Sequence, residues 1–143
     1  MTQKYRVVTN AIITHRGKIL LAKKEEKEEH PISGEWHFPG GHLEEGEEPE
    51  EAIKRELKEE TGLDVEVHQI VDVTSNFGSD SPFQVIYHAE AESNDAEVQD
   101  DLSDVKWVEP GEVKKEIGEE FSDQIDEREE LSRFIERIEK APY

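Results

Sequence analysis

Residues Gly41 to Leu63 read GHLEEGEEPEEAIKRELKEETGL, and the rest of the chain is organised around them. Pro49 fits a first helical position, where its missing N–H costs nothing. Glu50 and Glu51 follow it and suit the positive end of the helix dipole. Gly62 is placed to stop the helix in a left-handed cap. The stretch therefore predicts a helix from Pro49 to Thr61, about three turns long. On it Glu56, Glu59 and Glu60 project from one side, being three and four residues apart. Like charges at that spacing repel, and a hard divalent cation removes the repulsion by taking carboxylate oxygens as ligands. Ala52, Ile53 and Leu57 form a narrow apolar stripe able to seat the helix on a core. Arg55 lies one turn before Glu59 and can hold a carboxylate by paired hydrogen bonds. Taken without the flanking glycines, the same run reads as a solvated acidic helix.

The spacing of the whole stretch resembles the Nudix box. It runs Gly41, five residues, Glu47, seven residues, Arg55-Glu56-Leu57, one residue, Glu59-Glu60, one residue, Gly62-Leu63. The lead-in Trp36-His37-Phe38-Pro39-Gly40-Gly41 is also similar to that family's. The resemblance implies an α/β/α sandwich, a mixed sheet between helices. It implies Mg²⁺-dependent cleavage of a diphosphate linkage in a nucleoside diphosphate joined to another group, with Mn²⁺ as a substitute ion. It also implies roles for individual residues. Glu59 and Glu60 are metal ligands, Glu56 is a ligand or the general base, and the Gly40 carbonyl is a further ligand. Arg55 and Glu47 orient the glutamates, while Gly41 and Gly62 give structural support. Family members often add an acid from a later loop. The candidates here are Glu97, Asp100, Asp101 and Asp104, with Asp101 preferred.

The chain has 143 residues, enough for one domain with its own core, and residues 1–143 are read as a single domain. It has no cysteine, which excludes disulfides, thiolate nucleophiles and zinc–sulfur sites. No apolar run approaches the roughly 20 residues that span a bilayer, and the N-terminus lacks a signal-peptide core. The expectation is a soluble, cytoplasmic monomer or homodimer. A formal charge of −20 argues against binding a nucleic-acid polymer through its backbone, which requires cationic side chains. A nucleotide is also an anion, so a site for one here needs bound cations, in keeping with a metal-dependent reading. The acid excess suits a high-salt setting, where screening suppresses self-repulsion. A melting temperature indifferent to molar salt would remove that expectation.

Around the central stretch, residues 5–14 are β-rich with a near-continuous apolar centre, suiting a strand buried on both faces. Arg16-Gly17-Lys18 is a turn signal, and residues 19–22 form the second strand of a hairpin. Residues 25–29 are a charge run read as exposed loop, and 36–38 a short extended piece that Pro39 ends. The Gly40-Gly41 pair lets the backbone pass close to something or adopt positive φ. Residues 65–73 alternate as a strand, 74–82 are loop, and 83–91 are the next strand. Residues 93–103 read as acidic loop, 105–108 as a short strand, and 113–117 as a helical turn. Ser122 to Lys140 is predicted as one last helix. Ile125, Leu131, Phe134, Ile135 and Ile138 lie on one face, with Ser122 or Asp123 as N-cap. Interleaved strands and helices place the fold as α/β or α+β.

Substrate contacts are less legible. A base can stack on an aromatic ring, for which Phe77, Phe83 and Tyr87 are candidates. Arg6 and Lys23 are candidates for phosphate contact, while His37 and His42 flank the glycine pair. The compact chain favours a MutT-like enzyme acting on nucleoside triphosphates, oxidised or not. Hydrolysis of ADP-ribose, NADH or another nucleoside diphosphate derivative is the nearest alternative. A silent ligand-sensing module would be expected to lose box carboxylates, and these are all present.

Overall fold

A computed structural model describes residues 7–24, 34–74, 83–99, 102–118, 122 and 125–140. The first strand, β1 (Val7–His15), has a run of seven residues buried on both faces. It turns through Arg16 (φ 50°) and Gly17 (φ 80°) into β2 (Lys18–Lys24). Two consecutive positive φ values give the two-residue hairpin loop whose twist matches its strands. The two strands pair only next to that turn, at Thr14–Ile19 and His15–Lys18, and then diverge.

The short strands β3 (Trp36–His37) and β4 (Gly40–His42) fill the divergence. β3 pairs with the far end of β2, and β4 pairs antiparallel with Val8, Thr9 and Asn10 of β1. Between them the Ala11 N–H donates to the Pro39 carbonyl at 3.0 Å. The helix α1 (Pro49–Thr61) then follows with the predicted bounds, ending at Gly62 in the left-handed region (φ 74°). Next come β5 (Val65–Thr74), β6 (Phe83–Ala91) and β7 (Leu102–Val108). A 3₁₀ turn (Pro110–Glu112) leads into α2 (Val113–Glu116), and α3 (Glu129–Lys140) closes the described chain.

Seven strands form one mixed sheet. β6 lies parallel to β1 along its length, from Val7–Phe83 to Thr14–Glu90. β5 is antiparallel to β6 at one edge, and β7 is antiparallel to β2 at the other. The strand alternation splits the core in two. Ala11, Ile13, Leu20, Tyr87 and Ala89 face α1, where they meet Ile53 and Leu57. Ile12, Ile19, Leu21 and Ile86 face the other side, where they meet Phe38, Leu131, Phe134, Ile135 and Ile138. The sheet is thus covered on both faces, the α/β/α sandwich that the resemblance implies.

Two elements differ from expectation. β7 starts at Leu102, three residues early, because Leu102 pairs with Lys24 across an irregularity in β2 and is buried. The last helix is not continuous from Ser122. Ser122 and residues 125–127 are helical, but a second stretch of helix begins at Glu129, after a break at Arg128. Arg128 is pulled to the sheet edge: its Nε donates to Asp72 at 2.6 Å and its Nη2 to the Val73 carbonyl at 3.0 Å. Its own carbonyl accepts the Ser132 N–H at 3.0 Å and so opens α3. Ser122 does not stand ahead of a helix as a cap, since its N–H is bonded back to the Gly118 carbonyl at 2.9 Å. Asp123 lies outside the described residues. Ile125 still joins the same core as Leu131 and Phe134, so the predicted apolar face survives the break.

Candidate active site

α1 is seated by the stripe read from sequence: Ala52, Ile53 and Leu57 are completely buried. That fixes the rotation of the helix and turns Arg55, Glu56 and Glu59 towards β4. Pro49 occupies the first turn, and the Ala52 N–H bonds to the Glu48 carbonyl at 3.0 Å. At the other end the loop after β6 returns to the helix. The Glu97 N–H donates to the Thr61 carbonyl at 2.9 Å and the Gln99 N–H to the Glu60 carbonyl at 3.0 Å. Two of the carbonyls that a helix C-terminus leaves open are thereby satisfied.

Arg55 is the hub of the site. Its Nε and Nη2 donate to the two oxygens of Glu47 at 2.7 and 3.1 Å, a bidentate fork. Its Nη1 reaches Glu56 at 3.0 Å and Glu59 at 3.3 Å, with Glu44 at 3.6 Å, and Nη2 also reaches the His42 carbonyl at 3.4 Å. Glu47 in turn accepts the Glu44 N–H at 3.2 Å, which locks the loop before the helix. The hydrogen bond from Arg55 holds the Glu47 carboxyl below the usual carboxylate range. The same bond raises the Arg55 guanidinium, followed by attraction from Glu56 and Glu47 against the cost of burial. A charge network of this kind keeps the arginine charged and oriented at every ordinary pH.

The glycine pair is shaped by its neighbours. A Cβ on Gly40 (φ 154°) would stand 1.9 Å from the Thr9 carbonyl oxygen, so no side chain fits. A Cβ on Gly41 would stand 2.5 Å from Cδ of Glu56, so this glycine makes room for that carboxylate. Register sets the direction of the Gly40 carbonyl. Gly40 faces Asn10, and the bridging bond from the Ala11 N–H goes to Pro39. That is the non-hydrogen-bonded position of an antiparallel ladder, where a residue's own C=O turns away from its partner strand. The Gly40 carbonyl thus lies on the outer edge of β4.

These parts border one cleft of about 470 Å³, lined by Lys24, Gly40, Gly41, His42, Glu44, Arg55, Glu56, Glu59 and Glu60. Glu60 is buried, whereas the Glu59 side chain is about half exposed. Among the described residues no three carboxylate or imidazole groups are already gathered as a formed metal centre. The donor chemistry nevertheless fits a hard divalent ion, since four carboxylates and an outward carbonyl border one space. In this arrangement Arg55 supplies the positive charge between Glu56 and Glu59.

The other sequence candidates fall elsewhere. Arg6, Phe77, Asp100 and Asp101 lie outside the described residues. Glu97 serves the site through its backbone, and Asp104 sits opposite Lys23 on β7; neither lines the cleft. Tyr87 is buried in the α1-side core, where burial and then Glu50 and Glu48 raise its hydroxyl pKa; it is not a cleft residue. Phe83 opens β6, partly exposed. Lys23 points to the opposite face from the cleft, its Nζ 5.7 Å from the Trp36 ring. The cleft lysine is Lys24, one residue on. Nothing in the sequence separates these two neighbours, because only the strand's facing does.

A two-faced mixed sheet, a glycine pair at a strand edge and a helix carrying an arginine-centred glutamate cluster together define a Nudix domain. The family model for the NUDIX domain matches residues 4–128, and the chain belongs to that family. Among named relatives it is similar to an 8-oxo-dGTP diphosphatase of Proteus vulgaris, 34% identical over 52% of this chain and 64% of that protein. It is 26% identical to a MutT-like protein of Streptomyces ambofaciens, over 80% of this chain and 70% of that one. It is 40% identical to an ADP-ribose pyrophosphatase of Methanocaldococcus jannaschii, over 59% of this chain and 52% of that one. The chain therefore spans about half to seven tenths of the length of these relatives. In fold it matches a NUDIX hydrolase from Nitrosomonas europaea, with a TM-score of 0.78 over 99% of this chain and 76% of the other, at 22% identity.

Proposed function

We propose that this chain hydrolyses the diphosphate linkage of a nucleoside diphosphate derivative with Mg²⁺, and that its substrate is a nucleoside triphosphate, oxidised bases included. Water adds to phosphorus, a bridging P–O bond breaks, and a nucleoside monophosphate and pyrophosphate leave with release of a proton. The observation that carries this reading is the Arg55 hub. A guanidinium locked by Glu47 holds Glu56 and Glu59 at a cleft that Glu60 and the Gly40 edge also line.

Glu56, Glu59, Glu60 and the Gly40 carbonyl would hold the metal, Mg²⁺ or Mn²⁺ in its place. When bound, the ion neutralises the diphosphate and acidifies a coordinated water. The chain's own residues supply the rest. The Glu47–Arg55 fork orients Glu59 and Glu56, and Gly41 leaves space for the Glu56 carboxylate. Glu56 is a ligand or takes the proton of the attacking water. Among the described residues Lys24 is the one lysine that lines the cleft, and it offers a positive charge to a phosphate oxygen. Asp101 is retained as an accessory acid.

The substrate assignment is supported by the similarity to the 8-oxo-dGTP diphosphatase. The higher identity to the ADP-ribose pyrophosphatase favours a second reading, in which the group beyond the diphosphate is a ribose. A hydrolysis screen with Mg²⁺ over nucleoside triphosphates, 8-oxo-dGTP, ADP-ribose, NADH, diadenosine polyphosphates and nucleotide sugars separates them, with Glu60→Gln as control. Pyrophosphate and a monophosphate from a triphosphate, lost in the control, support the first reading. Turnover of ADP-ribose or NADH alone selects the second. No turnover on any of them, with ligand binding retained, leaves a sensor module in place of an enzyme.

A further inference from the structure

On the sheet face away from α1, Asn10 and Gln84 form a buried polar pair among apolar side chains. Asn10 is 4% exposed and Gln84 fully buried. Their amides are oriented by a one-way relay. The Phe38 carbonyl can only accept, so it takes the Asn10 Nδ2–H at 2.8 Å. That leaves Asn10 Oδ1 to accept from Gln84 Nε2, also at 2.8 Å. Gln84 Oε1 ends the relay and accepts no hydrogen bond. Flipping the Gln84 amide would set two oxygens against each other, so the relay itself keeps Oε1 outermost. A buried acceptor left this way carries the desolvation penalty of its group with nothing to offset it. A chain of otherwise satisfied amides that ends on one is a feature to be explained by what it accepts from.

Its place in the sheet indicates what that is. Gln84 lies in register with Val8, and Val8 with His42; Asn10 lies in register with Gly40. His42 and Gly40 line the acidic cleft. Adjacent strands are about 4.8 Å apart, so Gln84 sits about 10 Å across the sheet from the cleft wall. That is the separation between the diphosphate of a nucleotide and the edge of its base. The relay also ends on Phe38, two residues before Gly40 in the loop that carries it.

We propose that Gln84, held by Asn10, reads the base of the substrate, with Oε1 accepting from an amino or imide N–H on the base edge. The assignment rests on the reading of the cleft as a nucleotide site. It predicts a preference for donor-bearing bases over purine riboside, whose ring carries neither an amino nor an imide N–H.

The test measures dissociation constants of wild type, Gln84→Leu and Asn10→Ala for the 5′-monophosphates of guanosine, adenosine, cytidine, uridine and purine riboside by calorimetry. Melting temperatures are recorded alongside, and Mg²⁺-dependent hydrolysis of the matching triphosphates is followed separately. Wild type is expected to bind at least one donor-bearing monophosphate about 5- to 10-fold more tightly than purine riboside monophosphate, the yield of one neutral hydrogen bond. Gln84→Leu, which exchanges one orphaned acceptor for another by leaving Asn10 Oδ1 without its donor, is expected to bring that ratio close to one, with kcat retained and the loss in KM. Equal binding of all five by wild type overturns the proposal, as does a ratio unchanged in Gln84→Leu. A mutant that alters only the melting temperature assigns the acceptor to buried water and also overturns it. Absence of hydrolysis with the binding ratio intact refutes the enzyme reading and leaves the base reading standing.

Discussion

Gly41→Ala tests the central geometry, because the structure separates its effect on chemistry from its effect on the fold. The new Cβ would lie 2.5 Å from Cδ and Oε1 of Glu56 and 2.7 Å from Oε2. Carbon contacts are optimal at about 3.5–4.0 Å, so the carboxylate must retreat by roughly 1 Å. Glu56 is a flexible side chain and can do so without moving backbone. Gly41 does not have positive φ, so alanine is conformationally acceptable there. The fold loses at most the Arg55–Glu56 contact at 3.0 Å, a partly exposed pair worth about 0–1 kcal/mol. The site loses the position of the carboxylate proposed to act in the chemistry, and a 1 Å displacement costs on the order of 10²-fold in rate. Melting temperature and kcat at saturating Mg²⁺ would be measured on the same preparation. The expected result is a shift of a few degrees at most with kcat down by about 10–10²-fold. Gly40→Ala is the contrast: its Cβ would meet the Thr9 carbonyl at 1.9 Å, so the strand itself must yield and stability falls with activity. A Gly41→Ala protein with full activity would refute the placement of Glu56 in the chemistry. One that melts as badly as Gly40→Ala would refute the claim that only a side chain has to move.

Glu60→Gln is expected to lower turnover by about 10²–10⁴-fold, if charge stabilisation at the metal is the main term, with a melting temperature unchanged or raised. Normal turnover would remove Glu60 from the ligand set. Leu57→Ala, at a fully buried core position, should cost about 2–4 kcal/mol, read as a lower urea midpoint at unchanged m-value. A midpoint equal to wild type would mean the seat of α1 is misplaced. His88 is buried, its Nε2 2.8 Å from the Thr14 hydroxyl and its ring 5.1 Å from that of His68. Burial, then His68, pushes its pKa down to about 4 from 6.5, with Glu90 opposing. The unfolded chain therefore binds more protons between those values. The His88 contribution to stability is complete above pH 6.5 and is lost as pH falls towards 4, by on the order of 3 kcal/mol in all. Unfolding free energies of wild type and His88→Gln, measured from pH 7.5 to 4.5, should converge on acidification, and parallel curves would contradict the buried neutral state.

Much of the site was legible in one stretch because its determinants are local. Pro49, the Ala52–Ile53–Leu57 stripe and Gly62 define a helix by spacing alone, and the structure reproduces its bounds. The Glu47–Arg55 fork was also within reach, since eight residues of loop and helix bring the two together. The last helix was read as unbroken because its apolar period runs through Arg128. Only the sheet edge at Asp72 and Val73 reveals why the chain breaks there.

The sequence by itself determined the helix, most of the strand segments along the chain and the identity of the clustered acids, because these follow from periodicity and short-range spacing. The tertiary structure decided which neighbour faces the cleft, Lys24 and not Lys23, because a strand's facing depends on the sheet it joins. It decided that the Gly40 carbonyl points outward, because that depends on pairing with Asn10, thirty positions earlier. And it brought Asn10 to Gln84, 74 residues apart, through a parallel pairing that no local signal encodes.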